Sequence, residues 1–132
     1  MTSHAASCRC GQLRVMATGE PVRISVCHCL DCKKRSGSSF AAQVRFPAEQ
    51  VITEGSSSEF AHQGDSGKTT RFHFCPSCGA GLFYRHDDAR ETIAIAMGAF
   101  DDPYAFSPTV SVWEERKHEW VEISGKGVEH SF

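Results

Sequence analysis

Apolar positions in this chain come in short runs broken by polar residues, and many of the runs alternate with a period of two. Such alternation, or a run rich in β-branched and aromatic residues, predicts strands at 12–17, 22–27, 39–46, 69–74, 82–86 and 92–97. Turn signals separate them: Gly19-Glu-Pro, Phe46-Pro, Glu54-Gly-Ser-Ser-Ser, Gly64-Asp-Ser-Gly and Asp101-Asp-Pro. Only 30–36 has a helical pattern, and it is one or two turns long. The stretch 55–67, rich in Gly and Ser, predicts a hairpin connection, with a flap beside a reactive centre as the sharper alternative. The pattern as a whole predicts a mostly β fold. It excludes a doubly wound α/β sheet, and there is no phosphate-binding glycine loop, nucleophile elbow or internal repeat.

The length of 132 residues fits one domain, expected to span 1–132 with its core at about 7–120. With 40% hydrophobic and 23% charged residues the balance is that of an ordinary globular chain. The net charge of −2, with both signs mixed along the chain, lacks the basic stripe of a nucleic-acid binder. No apolar stretch approaches a membrane span, and the start has neither the charge nor the apolar run of a secretory signal. The expected location is the cytoplasm, with no nucleic-acid or membrane partner.

Seven cysteines change this picture. They stand at Cys8 and Cys10, at Cys27, Cys29 and Cys32, and at Cys75 and Cys78. Spacings this short bring sulfurs within reach of one ion, and a reducing compartment favours metal binding over disulfides. In an extended segment, residues two apart share a face, so Cys8 and Cys10 can clamp one ion. Cys75-Pro-Ser-Cys78-Gly is a knuckle that can clamp from the other side. Together they would make a closed four-cysteine zinc site of structural type. Cys27, Cys29 and Cys32 then remain as three thiolates that cap one face of a tetrahedron and leave a position open for catalysis. The competing readings are a redox pair at Cys75/Cys78 and closure of the second site by His28, His73 or another side chain.

Three thiolates make zinc a weak Lewis acid, poorly suited to generating hydroxide and well suited to capturing another soft ligand, a substrate thiol. Coordination strips that thiol of a proton it otherwise holds with a pKa of about 8.5. Making or breaking a carbon–sulfur bond is the implied chemistry. Among the other candidates, His4 and His130 are expected to be solvated, and Phe72, Phe74, Phe83 and Tyr84 to be core. Lys33, Lys34, Arg35, Lys68 and Arg71 could meet an anionic substrate.

The motifs C-x-C-G-x-L-R-V at Cys8, C-H-C-x-D-C-x-K-x-S-G at Cys27, S-G-K at Ser66, F-C-P-S-C-G-A-G-L-F at Phe74, G-A-F-D-D-P at Gly98 and the late Trp113 carry a resemblance. In this order they resemble the glutathione-dependent formaldehyde-activating family, which includes centromere protein V, from about Ser7 to Trp120. The resemblance implies a β-tent fold of short antiparallel sheets pinned by two zinc ions. It also implies structural zinc on Cys8, Cys10, Cys75 and Cys78, and catalytic zinc, the more easily lost, on Cys27, Cys29 and Cys32. The implied activity is that of a carbon–sulfur lyase joining glutathione, or a similar thiol, to formaldehyde or another small electrophile. A non-catalytic zinc module that binds a protein partner is the alternative.

Overall fold

A computed structural model describes residues 1–132. The strands are β1 (Ser3–Ser7), β2 (Arg14–Thr18), β3 (Arg23–Cys27), β4 (Ala41–Pro47), β5 (Val51–Glu54), β6 (Ser58–Gln63), β7 (Thr69–Phe74), β8 (Gly81–His86), β9 (Ala89–Ala96), β10 (Val110–Val112) and β11 (Glu129–His130). One α-helix, α1 (Leu30–Ser36), follows β3, and a few single 3-10 turns complete the chain. The fold is mostly β, as the alternation predicts.

Two sheets form. A small antiparallel sheet has the order β1-β2-β5, and a larger one has the order β11-β10-β3-β4-β9-β8-β7-β6. The larger sheet is antiparallel from β3 to β6, while β10 lies parallel to both β3 and β11. These parallel pairs depart from the purely antiparallel expectation. The chain reaches β10 and β11 after long excursions, which is what a parallel neighbour requires.

The core lies between the sheets. In β2, Val15 and Ala17 point inward while Arg14 and Met16 face solvent, so the small sheet has one buried face. Opposite them sit Ile24, Val44, Phe46, Ile93 and Ile95 of the larger sheet, and Phe100 and Phe106 close the end of the layer. His4 is half-buried against the rings of Phe46, Phe100 and Phe106, with the last centroid 4.9 Å away, rather than solvated. Leu13, Cys8 and Cys75 belong to the same cluster, so the first cysteine group is continuous with the core.

The segment 55–67 is not one loop. Gly55 (φ +95) makes the turn, and a Cβ there would sit 2.0 Å from the Gln12 carbonyl oxygen, so only glycine fits. β6 then pairs with β7 from Ser58↔Phe74 to Gln63↔Thr69, and only 64–68 remains a turn. The strand is an exposed, polar edge, which is why its composition reads as loop.

Candidate metal centres and the adjoining cleft

The seven cysteines are free thiols gathered into two groups. Within each group every sulfur lies within 4.8 Å of every other, and no histidine or carboxylate joins either. Cys8, Cys10, Cys75 and Cys78 form the first. The turn after β1 supplies two of them and the turn after β7 the others. The sulfur–sulfur distances Cys8–Cys10 and Cys10–Cys75 are 3.6 and 3.7 Å. A tetrahedron with metal–sulfur bonds of about 2.3 Å has edges of about 3.8 Å, so the group fits one ion. Leu13 N–H donates to Cys8 Sγ at 3.3 Å, and Ser77 N–H to Cys75 Sγ at 3.3 Å. The Gln12 side-chain amide donates to Cys75 Sγ at 3.0 Å while its other contacts hold Ser56. That amide, foremost among several donors, lowers the Cys75 thiol to about 6.

Cys27, Cys29 and Cys32 form the second group, with Cys27 and Cys29 sulfurs 3.4 Å apart. Cys27 ends β3 and is buried, while Cys29 and Cys32 are half-buried. Cys29 is the N-cap of α1: its backbone is extended (φ −64, ψ 157) and its sulfur accepts from Cys32 N–H at 3.3 Å. A potential metal ligand therefore also starts the helix. Asp31 in the first turn and Lys33, Lys34 and Arg35 in the last suit the helix dipole, and Gly37 (φ 68) ends it. A hydrogen bond from the Cys27 thiol, then one from Cys29 and the nearby Arg35 charge, brings Cys32 down to about 6 against the effect of burial. The same bond to Cys32, with burial, pushes Cys27 upward.

His28 does not close the second group. Its neighbours on either side turn their sulfurs together, so its own ring goes the other way, into the protein, fully buried. Nε2 lies 2.9 Å from Ser111 Oγ on β10, and Nδ1 has no partner. Burial lowers the His28 pKa, so the ring is neutral. Ser111 in turn donates to Glu114, which accepts from His130 Nδ1 at 2.6 Å. Those two bonds hold Glu114 below its usual range although burial, the largest influence, opposes them. Trp113, in the left-handed region at φ 58, turns the chain so that Glu114 faces inward. Lys33 Nζ donates to the Arg116 carbonyl of the same turn, tying α1 to it. Ser111→Ala would leave the His28 ring with no partner at all. It should cost about 1–3 kcal/mol, seen as a lower denaturant midpoint at unchanged slope. An unchanged midpoint would show that the His28–Ser111 bond does not hold this turn.

Beside this group, between α1 and the larger sheet, lies a cleft of about 1010 Å³. No cysteine lines it; Arg35 joins the two, with Nη2 3.9 Å from Cys32 Sγ and its guanidinium 5.1 Å from the Phe72 ring. Phe72, Phe74, Phe83 and Tyr84 all line this cleft rather than serving as core alone. His73 stacks on Phe83 (4.6 Å, 8°) and bonds Ser57, and it belongs to neither cysteine group. Arg71 is held by Asp87 at 2.8 Å and Glu59 at 3.1 Å, and Lys68 by Asp88 at 3.2 Å, so neither is a free cation. Lys34 and Arg35 do face the cleft.

Compared with known proteins, residues 3–116 match the family described as glutathione-dependent formaldehyde-activating enzyme. The chain belongs to that family. A crystal structure of a Rhodobacter sphaeroides protein superposes with a TM-score of 0.56 at 16% identity, covering 97% of this chain and 99% of that one. At that identity the likeness speaks for the fold alone. No curated protein has a significantly similar sequence. This member of the glutathione-dependent formaldehyde-activating family has two cysteine groups able to hold metal ions. No helix is long and apolar enough to cross a membrane.

Gln12, Ser111 and Glu114 escape the sequence reading. Gln12 sits inside the first cysteine motif at a position that the spacing argument leaves unassigned. Ser111 and Glu114 are brought to His28 only by the parallel β3–β10 pairing, for which short strands leave no local signal.

Proposed function

We propose that this chain is a zinc-dependent carbon–sulfur lyase, with structural zinc on Cys8, Cys10, Cys75 and Cys78 and catalytic zinc on Cys27, Cys29 and Cys32. The observation that carries the reading is the second group itself: three converging, partly accessible thiols, with the nearest histidine in sequence turned away. A zinc ion held there would supply Lewis acidity toward a substrate thiol as fourth ligand. The family description supports glutathione as the thiol and formaldehyde as the electrophile. In the addition, the thiol sulfur bonds to the carbonyl carbon, and the thiol proton ends on the former carbonyl oxygen. The chain's own groups prepare the ligand set. The Cys32 N–H donates to Cys29 Sγ and fixes its position, Arg35 stabilises the Cys32 thiolate, and His28 pins the turn between them. A reducing cytoplasm would keep all seven thiols available.

The test is optical titration of the doubly cobalt-substituted protein with glutathione and with 2-mercaptoethanol. We expect a saturable change in sulfur-to-cobalt absorption at one of the two sites. Two sites indifferent to both thiols would instead favour a zinc module that binds a protein partner.

A further inference from the structure

The register of the larger sheet puts the three-thiol turn and a row of aromatic rings on one face. Residues directly paired across strands point the same way. Phe60, Phe72 and Tyr84 are so paired across β6, β7 and β8, and the row continues through Ala94 to Arg45. Gln43 and Ala41 follow at alternate positions on β4, and Ala41 pairs with Cys27. The opposite face carries Val44 and Ile95 into the core. α1 spans the aromatic face without sealing it, since none of its residues is buried. Arg35 lies 5.1 and 5.2 Å over the Phe72 and Tyr84 rings, and Asp31 reaches His62 on β6 at 3.6 Å.

Apart from Lys34, the charged groups around this cleft and Gln43 already have partners. Asp31 and His62 meet each other, Gln43 donates to Ser25 at 2.7 Å, and Arg35 spreads over two rings. What remains open beside Lys34 is apolar lining, above all the Phe60 ring, which is 58% exposed. Formaldehyde, little larger than a water molecule of about 30 Å³, has no use for such a lining. The volume and the aromatic lining are those of a site for a larger, partly apolar ligand.

Resting on the zinc–thiol reading above, we propose that this cleft holds a flat apolar group, the size of a phenyl ring, carried by the substrate beside the carbon–sulfur bond. Either the aldehyde or the thiol can bring that group, and Arg35 is the residue that joins its pocket to the thiol site. The bond change is the addition already described. The sulfur joins the carbonyl carbon and the proton passes to oxygen, whichever partner carries the ring.

Calorimetric binding of S-benzylglutathione and S-methylglutathione to the zinc-loaded protein tests the cleft without requiring turnover. The benzyl compound should bind about tenfold tighter or better, the expected gain from burying a phenyl ring. Phe60→Ala should remove most of that gain; the residue is exposed on an edge strand, so the fold survives its truncation. Exchange spectroscopy by NMR then separates the sources. Accelerated exchange of benzaldehyde with glutathione assigns the ring to the aldehyde, and that of phenylmethanethiol with formaldehyde assigns it to the thiol. No benzyl preference, a preference unchanged in Phe60→Ala, or catalysis confined to glutathione and formaldehyde would each overturn the proposal and leave the zinc–thiol reading standing. A benzyl preference lost in Phe60→Ala, with no thiol response at cobalt, would support the cleft and sink the zinc–thiol reading.

Discussion

Cys29→Ser should fold, carry one zinc per chain where two are expected of the unaltered protein, and lose at least about 100-fold in catalysed thiol–aldehyde exchange. The direction follows from the two jobs of Cys29. As the N-cap of α1 its sulfur accepts the Cys32 N–H, and serine does that job well, so the helix keeps its start. As one of three converging thiols it has no replacement, because no histidine or carboxylate stands near enough to step in. Losing a partner that merely orients a ligand costs 10–100-fold in comparable sites, so losing the ligand itself should cost more. Cys29 is half-buried and outside the hydrophobic core, so packing changes little. Elemental analysis reports the zinc count and NMR exchange reports the rate. Wild-type exchange by a protein holding a single zinc would falsify the assignment of this group to catalysis.

Much of this architecture could be read from the chain, and the exceptions share a cause. α1 was expected at 30–36 and spans Leu30–Ser36, because Cys29, Asp31 and Gly37 mark its ends. Strands with strong alternation or β-branched runs, such as β3, β4 and β7, lie where the pattern predicts. β1 reads Ser-His-Ala-Ala-Ser and has no such pattern; it is a strand because it pairs with β2 along its whole length and buries Ala6. β6 is polar and lies on an edge, and β10 and β11 are three and two residues long. In each the decision is made by a distant partner, and no local window contains it. The cysteine groups behave in the opposite way. Pairs two or three residues apart, with a common appetite for one ion, announce themselves at short range, and the fold gathers Cys8 and Cys10 with Cys75 and Cys78 into one group. The cleft lay out of reach, since Phe60, Phe72 and Tyr84 become a row only once three strands are in register.

The four-cysteine group should fail in a different way. Cys75 is fully buried within the core cluster, and its sulfur is held by Gln12, Ser77 and Cys78 donors. A metal ion held by this group would clamp the turn after β1 to the turn after β7, and so the small sheet to the large one. Structural zinc contributes about 10–16 kcal/mol in apparent terms, against a total stability of about 5–15 kcal/mol for an ordinary domain. Cys75→Ser should therefore lose cooperative unfolding and near-ultraviolet circular dichroism, and with them the metal at both groups, since the second depends on an intact sheet. A buried serine also brings a packing and solvation penalty of about 1–3 kcal/mol. Cys10→Ser separates the two causes. Cys10 is exposed and takes no part in the core, so a comparable collapse there can come only from the lost ligand. If Cys10→Ser melted within a few degrees of the unaltered protein and kept both ions, the four-cysteine group would not be what holds the sheets together. Taken with Cys29→Ser, the expected contrast is loss of the fold at one group and loss of the reaction alone at the other. That is the behaviour expected when one site is closed by four thiolates and the other is left open by three.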